Sequence, residues 1–256
     1  MSQHDERVRR EFTRQADTMA GAALFNDAAV LERIREAVHF TASPRILDVA
    51  CGPGIVVEKL APGAAEVVGC DLTPQMLEKM RQRCAGAGLA NVRAVPGRAE
   101  ALPFDDGHFD VVVSRSAVHH FAEPPAALRE MARVVRRGGR VITVDVTAAE
   151  DATAAALHNA LEIIRDPSHV RMLPKSELHA ALAAAGLRVE SVLGWTNLRE
   201  FDEWMKITNA PERVGPLRVV MAALARAGQD AGIGLRLEGT ALRFEHHAAL
   251  TVAVKP

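Results

Sequence analysis

Two aspartates and the glycine-rich turn between them are the residues best suited to chemistry in this sequence. ILDVACGPG (Ile46–Gly54) reads as a strand that ends in the turn Ala50–Cys51–Gly52–Pro53–Gly54 and continues into a helix. Such a turn presents backbone N–H groups and the positive end of a helix at the carboxyl edge of a sheet. Its small residues let a ligand approach the main chain closely. The next apolar run, VVGCD, ends in Asp71, which is 71 − 48 = 23 residues beyond Asp48. An acidic side chain about that far on can accept the hydrogens of both ribose hydroxyls. Together these features predict an adenosine-type ligand.

That geometry serves NAD and S-adenosylmethionine alike. A dinucleotide fingerprint reads G-x-G-x-x-G, its last small residue allowing helix and strand to pack closely beside a pyrophosphate. Here Ala50 takes the first position, Pro53 intervenes and Val57 takes the last. Asp48, within the strand, is well placed to face a cationic methionine group. An NAD(P)-dependent oxidoreductase is thereby disfavoured.

Acid–base candidates lie further along. His119 and His120 follow the fourth apolar run in SAVHHF, and a histidine of near-neutral pKa suits proton removal from a hydroxyl or nitrogen. Equally, one could bond the backbone while the other faces solvent. RDPSHVR (Arg165–Arg171) offers His169 as a base and Arg171 as a clamp for an anion; the competing reading is a loop held by Asp166 capping and arginine ion pairs. Asp145 either faces the site or caps the next turn. Phe12, Met19 and Phe25 near the start, and Trp195 and Trp204 later, suit the walls of a water-excluding substrate pocket, although apolar residues at helical spacing are commonly core. His246 and His247 in the last strand are read as structural. Cys51, Cys70 and Cys84 lack metal-ligand spacing, and no metal is expected; Met76, Met80 and Cys84 share one helix face.

The elements that must position these residues alternate. RILDVA, EVVGCD, NVRAVP, FDVVVS and RVITVDV are short Val- and Ile-rich runs, separated by helical stretches at Ile55–Leu60, Pro74–Ala87 and Pro124–Arg137. This order implies a parallel sheet with helices on both faces. Two helices over Glu6–Phe40, broken near Gly21–Asn26, precede it. Helices at Ala152–Ile164 and Lys175–Ala185, a strand at Leu187–Trp195, a mostly helical stretch over residues 199–228 and a strand at Ala241–Lys255 follow it. Arg133, Arg136, Arg137 and Arg140 fall where a helix ends and a strand begins, a place where cations complement the helix dipole.

In order and spacing, DVACGPG, GCDLTPQMLEKM, GRAEALPFDDGHFDVVVSRSAVHHF and LREMARVVRRGGRVITVD resemble the class I methyltransferases. They are most similar to the type-11 family, which includes ubiquinone- and menaquinone-biosynthesis methyltransferases. The resemblance is strong over residues 44–146 and looser beyond. It implies an α/β, Rossmann-like, seven-stranded and mostly parallel sheet with the last strand antiparallel. It also implies one domain over 1–256: a helical lid (1–43), a cofactor core (44–146), and substrate-side helices and final strands (147–256).

By the same resemblance the cofactor is S-adenosyl-L-methionine. Asp48 and the turn Ala50, Cys51, Gly52 and Gly54 would hold its methionine part, and Asp71 its ribose. Leu72 and Met76 would pack on the adenine, Gly97, Arg98, Ala99 and Glu100 would run beside it, and Ser114 would lie near the sulfonium. One position departs from the pattern. Arg98 stands where members commonly carry an Asp that accepts the adenine amino hydrogens, and a guanidinium cannot accept. Glu100 or a backbone carbonyl takes that role, or the adenine is held more weakly; otherwise Arg98 is a solvated loop residue.

The 256 residues suffice for a real core, and 48% hydrophobic with 25% charged residues is ordinary globular composition. A balance of 31 basic and 32 acidic residues, net −1, argues against a nucleic-acid partner. No apolar run is long enough for a bilayer, the charged start is no secretory signal, and three cysteines suggest reduced thiols; a cytoplasmic location is expected. The expected activity is methyl transfer to O, N or C of a small apolar or aromatic metabolite. The rival readings are cofactor binding without transfer and, behind it, the oxidoreductase. Oligomeric state is left open, a homodimer included.

Overall fold

Two helices, α1 (Gln3–Gly21) and α2 (Ala28–Val38), precede the sheet in the computed structural model, which describes residues 2–23, 25–39 and 43–256. Met1, Leu24 and residues 40–42 of the expected lid, Phe40 among them, lie outside the described residues. Ser2 and Asp5 form a reciprocal capping box that starts α1, and Asp27 caps α2 through the N–H groups of Ala29 and Val30.

The Val- and Ile-rich runs become β1 (Arg45–Val49), β2 (Glu66–Asp71), β3 (Val92–Pro96), β4 (Phe109–Arg115) and β5 (Val135–Val146), all parallel. Helices α3 (Ile55–Leu60), α4 (Pro74–Gly86) and α5 (Pro124–Val134) connect them. Then come α6 (Ala152–Arg165), α7 (Lys175–Ala184), β6 (Arg188–Glu200), α8 (Phe201–Lys206), α9 (Pro211–Arg226), β7 (Arg236–Glu238) and β8 (Ala241–Val254). The order across the sheet is β3-β2-β1-β4-β5-β8-β6, and β8 runs antiparallel to β5 and to β6. Among the described residues the expected seven strands are present, and an eighth, the short β7, hairpins onto β8.

Alternate residues of β1 divide the core. Leu47 and Val49 join Leu128 and Met131 of α5 and Leu182 of α7, while Ile46 joins Ile34 of α2, Leu60 of α3 and Met80 of α4. Both faces are apolar, as a sheet sandwiched between helices requires. A separate cluster of Phe201, Trp204, Leu217, Met221 and Phe244 binds α8 and α9 to β8. Met76, Met80 and Cys84 are all buried along α4.

Two boundaries show where pairing overrides expectation. Helix α5 stops at Val134 rather than Arg137, because Val135 already pairs with Phe109 of β4. Arg133 closes the helix by donating to the carbonyls of Leu102 and Phe104, and Arg136, Arg137 and Arg140 lie in β5. Strand β6 runs five residues past Trp195 because β8 pairs with it as far as Glu200–Arg243. Among the described residues, no helix is long and apolar enough to cross a membrane.

Candidate functional site

Strand order reverses between β1 and β4: the chain passes from β1 outward to β2 and β3, then returns to β4 and β5 on the other side. The crevice such a reversal opens at the carboxyl edge of a sheet is where ligands of open α/β proteins bind. A cavity of about 990 Å³, its open mouth included, occupies it here, lined by the turn after β1, the ends of β2 and β4, the Gly97–Glu100 loop and α1.

The turn is conformationally demanding. Ala50, Gly52 and Gly54 all take left-handed φ, at 56°, 52° and 81°. For Ala50 this costs about 1–2 kcal/mol, which the surrounding structure must repay. A Cβ at Gly54 would fall 2.6 Å from Cγ of Met80, whereas one at Gly52 would meet nothing within 4 Å. Gly54 therefore seats the turn on α4, and Gly52 faces open space. Asp71 ties the turn down from β2: its Oδ2 accepts from Gly52 N–H at 2.9 Å and its Oδ1 from Thr73 N–H at 2.8 Å.

Asp48 is 1% exposed, and its Oδ2 has no hydrogen-bond partner. Burial, and then the charge of Asp71, push its carboxyl up to about 8, against a partial pull from Arg115. A buried acceptor without a partner in a ligand-sized cavity calls for a donor or a cation from outside the chain.

Leu72, Met76, Cys51, Gly97, Ala99 and Glu100 line the cavity as the sequence suggested. Arg98 also lines it, but its work is structural. It pairs with Asp5 at 3.1 Å and reaches Glu100 at 3.7 Å, pinning the start of α1 over the cavity, so it is not a solvated outward-pointing residue. Ser114 and Gly54 sit one layer behind the cavity surface. Ser114 lines neither large cavity; it is fully buried, and its hydroxyl donates to the Val49 carbonyl at 3.0 Å, stitching β4 to β1. Gly54 likewise stands behind the wall rather than in it.

A second cavity of about 930 Å³, its open mouth included, shares Phe12, Met19, Phe25, Arg115, Ser116 and His120 with the first. Four imidazoles line it, and His119, His120 and His169 each have a different hydrogen-bond logic. His119 Nδ1 lies 2.5 Å from Oδ1 of Asp145, so that nitrogen donates and Nε2 is left as the basic position. Burial would lower its pKa, but the charge and hydrogen bond of Asp145 overcome this and raise it. His120 Nδ1 lies 3.2 Å from Ser168 Oγ, whose own proton goes to Asp166 at 2.6 Å, which makes the imidazole the donor. Burial and the neighbouring His119 hold His120 down at about 4. His169 donates through Nε2 to Asn159 Oδ1 at 2.7 Å, and burial, followed by His119, pushes it down to about 2. Of these three, His119 alone is raised above its ordinary value.

Trp195 and Trp204 line this second cavity with arginines stacked on them, Arg33 at 5.0 Å and Arg165 at 4.6 Å from the ring centroids. Arg171 lines neither cavity. Half-exposed, it pairs with Glu177 of α7, and the clamp role expected of it is corrected. Its segment contributes through the main chain instead: Val170 and Arg171 donate their N–H groups to the His119 carbonyl at 2.8 and 3.1 Å. The wall is also more polar than expected, because Glu162, Asp166, Arg199 and His246 face it. His246 was read as structural, and Glu162 raised no signal. Only the four-residue interval from His158 to Glu162 could have marked that face of the helix.

The chain matches the methyltransferase domain family over residues 47–143. It is 34% identical over 200 residues to the uncharacterized methyltransferase YcgJ of Bacillus subtilis (strain 168), covering 78% of this chain and 79% of that one. The crystal structure of YcgJ superposes with a TM-score of 0.83 at 31% identity, over 89% of this chain and 98% of that chain. A putative methyltransferase from Bacillus halodurans superposes equally well, with a TM-score of 0.83 at 28% identity, over 90% of this chain and 100% of that one. Demethylmenaquinone methyltransferase of Thermus thermophilus is 42% identical over 107 residues, 41% of this chain and 48% of that one. With its strand order and the match to YcgJ over most of its length, the chain belongs to the class I methyltransferases, in the type-11 methyltransferase domain family.

Proposed function

We propose that this protein transfers a methyl group from S-adenosylmethionine, held in the first cavity, to a hydroxyl oxygen of a small molecule held in the second, with His119 as the base. The observation that carries this reading is the junction of the two cavities. An unpartnered buried carboxylate, Asp48, lies on one side, and a histidine raised by Asp145 lies on the other.

Bound S-adenosylmethionine supplies a methyl group activated on a cationic sulfur. The chain's own residues do the rest. Asp48 offers its free oxygen to the cationic end of the cofactor, and charge pairing restores the ionised form that burial and Asp71 disfavour. Asp71 keeps acceptor capacity for ribose hydroxyls, since each carboxylate oxygen that binds a backbone N–H has a second lone pair. Glu100, which accepts from Ala122 N–H at 3.0 Å, has the same spare capacity for an adenine amino group. Leu72 and Met76 supply apolar surface for the ring.

On the acceptor side, Asp145 fixes the tautomer of His119 so that Nε2 can take a hydroxyl proton. Phe12 and Met19 of α1 and the indoles of Trp195 and Trp204 keep water out. Helix α1 is fastened over both cavities, by His4 to the His120 carbonyl at 2.8 Å, Arg98 to Asp5 at 3.1 Å, Gln15 to Asp166 at 2.7 Å and the buried Glu11 to Arg213 at 2.9 Å.

Calorimetric titration with S-adenosylmethionine, followed by transfer of a labelled methyl group to a panel of phenols, hydroxy acids and quinols, tests the proposal. One bound equivalent and a methyl ether product that is lost in His119→Ala are expected. Tight binding with no transfer to any hydroxyl would overturn it in favour of cofactor binding without transfer.

A further inference from the structure

Helix α6 carries His158 and Glu162 four residues apart on one face, and β8 brings His246 against them. The Nε2 of His246 lies 3.2 Å from Oε1 of Glu162, and the Nε2 of His158 lies 3.8 Å from the same oxygen. The three residues are 2%, 5% and 5% exposed for His158, Glu162 and His246. Neither Nε2 makes a hydrogen bond, although both are shut away from water. Two imidazole nitrogens thus converge on one carboxylate oxygen without hydrogen-bond geometry to it. Buried polar atoms left in this way need a partner, and a body placed among the three would serve them all.

We propose that His158, Glu162 and His246 form a divalent-metal site of the zinc type in the wall of the second cavity. The three donor atoms lie within 4.8 Å of one another. Zinc–ligand bonds of about 2.0–2.1 Å place tetrahedral donors about 3.4 Å apart, between the two separations found here. Two imidazoles and one carboxylate suit Zn²⁺ and its first-row neighbours, whereas Mg²⁺ and Ca²⁺ demand oxygen.

The outer shell fits as well. Arg165 takes the other oxygen of Glu162 at 3.3 Å and donates to the Trp204 carbonyl at 3.0 Å, which fixes the carboxylate while leaving Oε1 to the histidines. Glu162 and His246 line the second cavity, so the ion can enter from there and keep an open position toward it. If the methyl-transfer reading holds, that open position offers an acceptor oxygen a second anchor across the cavity from His119.

The test uses the full-length protein, stripped with a chelator and titrated with Co²⁺ and Zn²⁺ against a competing chelator while the visible spectrum is followed. One equivalent of Co²⁺ with tetrahedral d–d bands, displaced by Zn²⁺, is expected. Losing even an outer-shell partner costs about 10–100-fold in metal affinity, so His246→Ala, His158→Ala and Glu162→Gln should each weaken binding at least tenfold. Near-ultraviolet circular dichroism establishes that each variant is folded. Stoichiometric binding absent from the parent protein, or undiminished in the folded variants, overturns the site, and the parent titration decides alone if the variants do not fold. Neither result depends on methyl transfer, which the cofactor titration tests separately.

Discussion

The two cavities are built from different materials. The first has a floor shaped by main chain: one turn with three left-handed residues, seated on Met80 and tied to Asp71. The second is shaped by side chains from α1, the ends of β4 and β5, the loop after α6, and strands β6 and β8, with imidazoles, carboxylates and guanidiniums facing inward. A backbone-built site responds to an added carbon atom. A site built from titratable groups responds to pH and to the loss of one partner.

The largest effect expected is at His119. Removing a general base costs about 100- to 10,000-fold, so His119→Ala should lower kcat by that order while leaving S-adenosylmethionine affinity in the first cavity unchanged. As a base, His119 must be unprotonated. The rate should therefore rise with pH through a midpoint above the ordinary 6.5, because Asp145 raises the folded-state pKa against the effect of burial. Asp145→Asn removes that support and should move the midpoint down. Stability runs the other way. The protonated pair with Asp145 contributes fully below the unfolded pKa, and its contribution is lost as pH rises through the raised folded value. A pH–rate profile indifferent to Asp145 would dissolve the proposed contrast between the cavities.

Next come the glycines, as a matched pair. Both have left-handed φ, but only at Gly54 does an added Cβ strike Met80. Gly54→Ala should destabilise by about 2–4 kcal/mol, from the left-handed conformation and overpacking together. Gly52→Ala should cost about 1–2 kcal/mol in stability. Its methyl group enters open space, so cofactor affinity should suffer instead. Denaturant unfolding and calorimetry on the two variants separate these effects. Asp71→Ala should follow, weakening cofactor binding by about 1–3 kcal/mol through lost charge-assisted hydrogen bonds. An unchanged dissociation constant would remove the ribose role.

The same contrast explains what could be read from the sequence. The first cavity was legible because its determinants are local: a Gly-rich turn after a strand, and an acid at the end of the next strand, are patterns in consecutive residues. Asp48, Asp71, Leu72 and Met76 line it as expected. The second was legible only where one segment supplied its own signal, as SAVHHF did. His246 went unrecognised because its partner, Glu162, lies 84 positions earlier (246 − 162) on a helix, and only the pairing of β8 with β5 and β6 brings that strand face to it. The engagement of Ser114 was hidden for a related reason. Its hydroxyl is used within the sheet, by the carbonyl of Val49 on a strand that the linear sequence does not place beside it. Arg98 was noticed as a departure, but its partner Asp5 is a contact of the folded lid that no local pattern announces.

Arg171 provides the smallest expected effect and a sharp control on the side-chain character of the second cavity. Its guanidinium is half-exposed and paired with the equally exposed Glu177, away from both cavities. Such surface pairs are worth about 0–1 kcal/mol, so Arg171→Ala should leave stability within that range and kcat and KM near the parent values. What the segment gives the site is unaffected by that change. The N–H groups of Val170 and Arg171 still hold the His119 carbonyl, and Asp166 and His169 keep their places. A large rise in KM in Arg171→Ala, measured with any accepted substrate, would mean that the arginine swings inward when the cavity fills. The loop after α6 would then act through a charged side chain as well as through its backbone.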